Sequence, residues 1–160
     1  MLIFSTFTQY QITSSTTRSK MGLLVRIETI AHVEAIPGTD DLDMVTLEDS
    51  RARVVTNHNE YKIGNTVVFF ENDAALPADD ARYTSLREQN LYMWHDKNGN
   101  VLNQVIRIRP VKINDIISQG GVMPVSLFPE LAAVMNGEDE DDILHVRKFH
   151  ELDEEMRKNI

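Results

Sequence analysis

The sequence predicts an all-β protein, a barrel or a sandwich, with one modest helix and a second, highly charged helix at the C-terminus. Short apolar segments alternate with turn signals from Leu23 onward, no βαβ rhythm interrupts them, and no solenoid repeat is present. The 160 residues suit one domain, long enough to bury a core without a disulfide or metal staple.

Residues 1–20 are rich in Ser and Thr and carry Arg18 and Lys20 with no acid. They are expected to form a flexible extension. Their composition is similar to that of an organellar transit peptide, and they lack the basic and apolar regions of a secretory signal. Residues 21–135 hold the expected barrel. Leu23–Ile30 alternates as a strand, and the Ile36-Pro37-Gly38-Thr39-Asp40-Asp41 segment is a turn. Asp43–Leu47 and Arg53–Thr56 flank a Glu48-Asp49-Ser50 turn, and Thr66–Phe70 reads as a strand buried on both faces. Ala78–Asn90 has acids early and Arg82 and Arg87 later, as a short helix prefers. Tyr92–His95 and Val101–Ile113 flank Asp96-Lys97-Asn98-Gly99-Asn100, a hairpin signal. The second of these strands is long enough to bend across two halves of a barrel. Residues 136–160 are expected to be an acidic linker followed by a helix over His150–Lys158.

The net charge of −9 disfavours nucleic acid for the chain as a whole, but the charge is uneven. Residues 138–160 hold nine acids against four bases, whereas bases gather at Arg51, Arg53, Arg107, Arg109 and Lys112. Cysteine is absent, which removes disulfides, thiolate metal sites and cysteine nucleophiles and fits a reducing, cytoplasmic setting. The longest apolar runs, such as Val67–Phe70, are far short of the roughly 20 residues that span a bilayer, so no membrane partner is expected.

Catalytic motifs are missing. There is no phosphate-binding P-loop, dinucleotide fingerprint, zincin motif or nucleophile elbow. The five histidines lack the spacing of a helical metal pair and read as surface or turn residues. Asp41-Leu42-Asp43 reads as a turn, and the Glu138–Asp142 run as a solvated link. No catalytic residue, metal or cofactor is therefore expected.

Binding signals remain. On a strand, Ile106 and Ile108 point one way and Arg107 and Arg109 the other. Arg51 and Arg53 share that spacing, and if the two strands are neighbours, four guanidiniums line one face suited to phosphate. The competing reading is cross-strand pairing with the abundant carboxylates. Tyr92 and Trp94 share a strand face and are candidates for stacking on bases, with a barrel-end plug the alternative for Trp94. Ser118-Gln119-Gly120 could present backbone N–H groups to a phosphate, or Gly120-Gly121 could simply kink the strand.

Three blocks, IETI-x-x-V-x-A-I-P-G-T-D-D-L-D-M-V-T-L, EYKIGNTVVFFENDAALP and VKINDIISQGGVMPVSLFP, together resemble the N-terminal OB-fold domain of one group of ATP-dependent RNA ligases. The likeness covers residues 24–129, and the acidic stretch to Phe149 is similar to that group's linker. It implies an OB-like β-barrel. The ligases attach AMP to the lysine of a K-x-D-G motif, which this sequence does not contain, so ligase activity is not expected of it. Where the family reads K-x-R-G, this chain has Lys112-Ile113-Asn114-Asp115, and Gly64-Asn65 stands for Gly-Asp. The resulting expectation is a non-catalytic protein, viral or bacterial, that binds single-stranded RNA through Arg51, Arg53, Arg107, Arg109, Lys112, Tyr92, Trp94, Ser118, Gln119 and Gly120. The alternative is a protein-interaction module or an accessory subunit of a split ligase, with the acidic C-terminal segment as its contact.

Overall fold

The structure, a computed structural model, describes residues 23–133 and 140–160. The expected extension over residues 1–20 lies outside the described residues, as do Glu138 and Asp139 of the acidic run. The strands are β1 (Val25–Ala35), β2 (Leu42–Leu47), β3 (Arg53–Asn57), β4 (Thr66–Phe70) and β5 (Ala74–Pro77). A single 3-10 turn leads into α1 (Thr84–Asn90). Then come β6 (Leu91–His95), β7 (Val101–Arg107), β8 (Val111–Ile113), β9 (Ile116–Ser118) and β10 (Gly121–Pro124). The chain ends with α2 (Glu140–Ile143), β11 (Arg147–Lys148) and α3 (Phe149–Arg157). Among the described residues no helix is long and apolar enough to cross a membrane.

Five strands in the order β10-β4-β1-β2-β3 form a curled half-barrel. β1 joins its two halves. Val25–Thr29 pairs with β4, and from Ile30 onward the strand pairs with β2, with the register shifting between Ile30 and His32. A bulge of this kind bends a strand and increases its twist. The bending strand is therefore β1. The expected long strand over Val101–Ile113 breaks instead: β7 ends at Arg107, and Pro110, which has no N–H to give a ladder, separates it from β8.

A second sheet, β11-β5-β7-β6, packs against the first, and side-chain alternation decides which core each residue enters. Val67 and Phe69 of β4 face the barrel interior with Ile30, Val45, Leu47 and Val54. Val68 and Phe70 face the second sheet, where Leu76, Tyr83, Ile106, Ile108 and Phe128 meet them. β4 is thus buried on both faces, as its unbroken apolar run predicts. On the far side of the second sheet, Ala75, Trp94 and Val105 pack against Phe149 and Leu152 of α3.

Buried charges pin the turns. Glu28, only 3 % exposed, accepts hydrogen bonds from the Asp49 and Ser50 N–H groups and pairs with Arg26. Asp43 accepts from the Asn59 N–H and lies 3.0 Å from His58 Nδ1. The His58 hydrogen bond, with that of Asn59, holds the Asp43 carboxyl below the usual carboxylate range. The described part of the acidic segment is a helical turn rather than a solvated link. Asp141 accepts from the N–H groups of Leu24 and Val25, and Leu144 and Val146 enter the main core.

Candidate nucleic-acid interface

The segment after β7 builds one wall of a cleft. β8 and β9 form a hairpin whose two-residue turn, Asn114-Asp115, has positive φ at both positions (47° and 67°). Such turns favour Asn and Asp and match the twist of the flanking strands. The departure from the K-x-R-G pattern therefore has a structural role. The hairpin lies beside β3, leaving a cleft of about 460 Å³ lined by Val55 and Asn57 of β3, Val111 and Ile113 of β8, Asn90 of α1 and the exposed Arg109. Arg109 has no carboxylate partner among the described residues.

The remaining expected site residues are dispersed. β3 and β7 belong to different sheets, so Arg51 and Arg53 do not share a face with Arg107 and Arg109. Arg51 is exposed two residues before β3 with φ 61°, and Arg53 lies 3.9 Å from Glu34. Lys112 faces away from the cleft-lining Val111 and Ile113 and lies 3.6 Å from Asp115. Arg107 turns towards α3. Its guanidinium sits 4.0 Å from the Phe149 ring centroid and 3.4 Å from Asp73.

The aromatic pair is covered. Trp94 is 3 % exposed, its ring lies nearly parallel to that of Phe149 at 5.6 Å, and its Nε1–H donates to Asp153. That hydrogen bond and the Arg157 guanidinium hold the Asp153 carboxyl below its ordinary value. Tyr92 meets the Trp94 and Phe149 rings edge-on. Neither ring stands open as a stacking platform, because α3 has closed over their strand. The only sequence signal for that contact is the short apolar stripe Phe149, Leu152 and Met156 at i, i+3 and i+7 of an otherwise charged helix, which marks a docked face but not what it covers.

The expected phosphate clamp is also committed elsewhere. The Ser118 hydroxyl oxygen accepts from the Val55 N–H, the Gln119 side chain accepts from the Arg53 N–H, and the Gln119 N–H donates to the Arg53 carbonyl. The Gly120 N–H donates to Asn72 Oδ1 at 2.7 Å. A Cβ on Gly120 would lie 2.3 Å from the Phe70 carbonyl oxygen, so glycine is required by close approach as well as by its φ of 69°. Ser118-Gln119-Gly120 ties the hairpin to β3 and closes the barrel. Among the described residues no three His, Asp or Glu gather to hold a metal.

The strand order, the closure at β3 and the cleft beside it define an OB-type barrel, and the OB-fold domain family model matches residues 24–125. The chain belongs to that OB-fold domain family. It is similar to solved structures of the Naegleria gruberi RNA ligase. These include a mutant with AMP and Mn (26 % identity, TM-score 0.64, covering 79 % of this chain and 35 % of that one). A second mutant, with ATP and Mn, gives 28 % and 0.61 over 78 % and 35 %. The ligase with PPi gives 29 % and 0.61 over 78 % and 34 %. This chain thus spans about a third of the ligase's length. No curated protein matches it.

Proposed function

We propose that this chain is a non-catalytic RNA-binding protein that takes single-stranded RNA in the cleft between β3 and the β8–β9 hairpin. The observation that carries the reading is the Arg109 guanidinium, without a carboxylate partner among the described residues, lining a cleft on the β3 side of an OB barrel. OB barrels receive oligonucleotides on the face of their second and third strands and the adjoining loops. Arg109 supplies a fork for phosphate oxygens, and Asn57 and Asn90 supply hydrogen-bonding groups beside it. The likeness to an RNA ligase supports RNA as the polymer, and the lack of a K-x-D-G motif supports a role without nucleotidyl transfer.

With a net charge of −9, binding is confined to this local site and depends strongly on salt. The test is fluorescence anisotropy with labelled rU12 at several salt concentrations. Arg109→Ala should weaken binding about tenfold and flatten the salt slope by about 0.7, the value for one phosphate contact on a single strand. Lys97→Ala, on the distant β6–β7 turn, is the control and should change little. Equal loss in both variants places the site elsewhere. An unmodified chain that does not bind rU12 leaves the protein-interaction reading in its place.

A further inference from the structure

We infer that the space filled by the Phe149 ring is a slot for one base of a bound single strand, and that α3 is its removable cover. The inference rests on the RNA-binding reading above.

The walls of the slot have the chemistry of a base-stacking site. An indole, Trp94, lies nearly parallel to the Phe149 ring, the Arg107 guanidinium sits over that ring, and Tyr92 closes the edge. Aromatic faces and guanidinium planes are the groups on which unstacked bases rest. Phe149 occupies the place a base would take. Arg107 Nε is buried there with no hydrogen-bond partner among the described residues, an unspent donor beside an aromatic ring. A base carbonyl or ring nitrogen can accept from it.

The slot adjoins the proposed RNA path. Arg107 and Arg109 line one cavity of about 310 Å³ together with Asn90, Pro110 and Val111. A strand held at Arg109 therefore arrives at Arg107 without crossing the barrel.

α3 follows β11, which is paired over only two residues. Its polar anchors are the Phe149 N–H to the Asp73 carbonyl, His150 to Asp73, Asp153 to Trp94 Nε1 and Arg147 to Glu155, and Leu152 and Met156 pack beside Phe149. α3 carries Glu151, Asp153, Glu154 and Glu155. Asp153 and Glu155 are paired with Arg157 and Arg147, and an approaching RNA strand, a polyanion, repels the helix's net negative face and attracts Arg107, so RNA favours the uncovered state over the covered one. While α3 is docked, apparent affinity is reduced by the fraction of molecules that are uncovered.

Trp94 is the only tryptophan in the chain, so its emission reports the slot directly. The full chain carrying Phe149→Ala is titrated with AMP and, separately, with labelled rA12. AMP should quench Trp94 saturably in Phe149→Ala and leave the unsubstituted protein unchanged over the same range. The variant should bind rA12 about tenfold more tightly, as one added base stack implies. Asp153→Ala, which loosens α3 while keeping the Phe149 ring, should shift both readings in the same direction by less. A Phe149→Ala protein with the original β circular dichroism but no quenching by AMP overturns the slot, and rA12 binding to the unsubstituted chain would then leave the RNA reading standing. Quenching of Phe149→Ala by AMP with no rA12 binding by either protein removes the RNA reading and overturns the slot as a site for a base of a bound strand. Loss of the β spectrum in both variants also overturns the inference, because α3 would then be part of the core and no cover.

Discussion

Tyr83 shows how a single side chain can be apolar in effect and polar in cost. Its ring is fully buried against Phe70 and Phe128, and burial pushes its hydroxyl up to about 12. The hydroxyl has no hydrogen-bond partner among the described residues. An unsatisfied buried polar group costs free energy that its removal restores. Tyr83→Phe should therefore be at least as stable as the parent, by up to about 1 kcal/mol in urea denaturation. Gly120 is the opposite case. Its Cβ would strike the backbone oxygen of Phe70, which cannot swing away, and the positive φ adds strain. Gly120→Ala should lose about 3 kcal/mol or more, seen as a lower urea midpoint with an unchanged slope.

The β8–β9 hairpin owes its place to side-chain contacts with β3 rather than to a continuous ladder. Ser118 is 6 % exposed, and its hydroxyl takes up the Val55 N–H, which lacks a ladder partner on that side. Ser118→Ala leaves that N–H unmatched and should cost about 1–2 kcal/mol. Hydrogen exchange at the Val55 amide should accelerate, while amides of β4, buried on both faces, keep their protection. Exchange that rises equally in β4 and β3 would show the hairpin to be part of the global core. α1 is held differently: Asp80 caps the preceding turn and pairs with Arg82, which also reaches Glu130 and lies over the Phe128 ring. Arg82 is structural, whereas Arg109 has no such partner among the described residues.

At the scale of the molecule, the buried carboxylates set the response to acid. Asp43 titrates below the ordinary carboxylate range because His58 and the Asn59 N–H stabilise its charged form. A carboxyl depressed by folding adds stability above its unfolded value, near pH 4, and that stability is lost as pH falls through the lower folded value. Urea midpoints measured from pH 6 to pH 2.5 should fall less steeply below pH 4 for Asp43→Asn than for the parent, while the variant is the less stable at pH 6. Parallel curves would show that Asp43 carries no share of the acid sensitivity. Asp80 and Glu130 are held low by Arg82 and should account for part of the remaining slope.

Local pattern was enough for most of the barrel. The short strands β2 and β3 about the Glu48-Asp49-Ser50 turn, the doubly apolar run of β4, the Asn98-Gly99 turn and a short helix, expected over Ala78–Asn90 and formed over Thr84–Asn90, each depend on neighbours in sequence, so they are legible there. The three blocks shared with RNA ligases pointed to the OB barrel for the same reason. What decided the site is long-range. Sheet order separates Arg51 and Arg53 from Arg107 and Arg109, a proline ends β7 before it can carry both arginines along one ladder, and Phe149 covers Trp94 from 55 positions away. Those outcomes depend on which strand edges and apolar faces meet once the chain has closed. Alternation within a strand says which side a residue takes, but only the closed fold says what lies on that side.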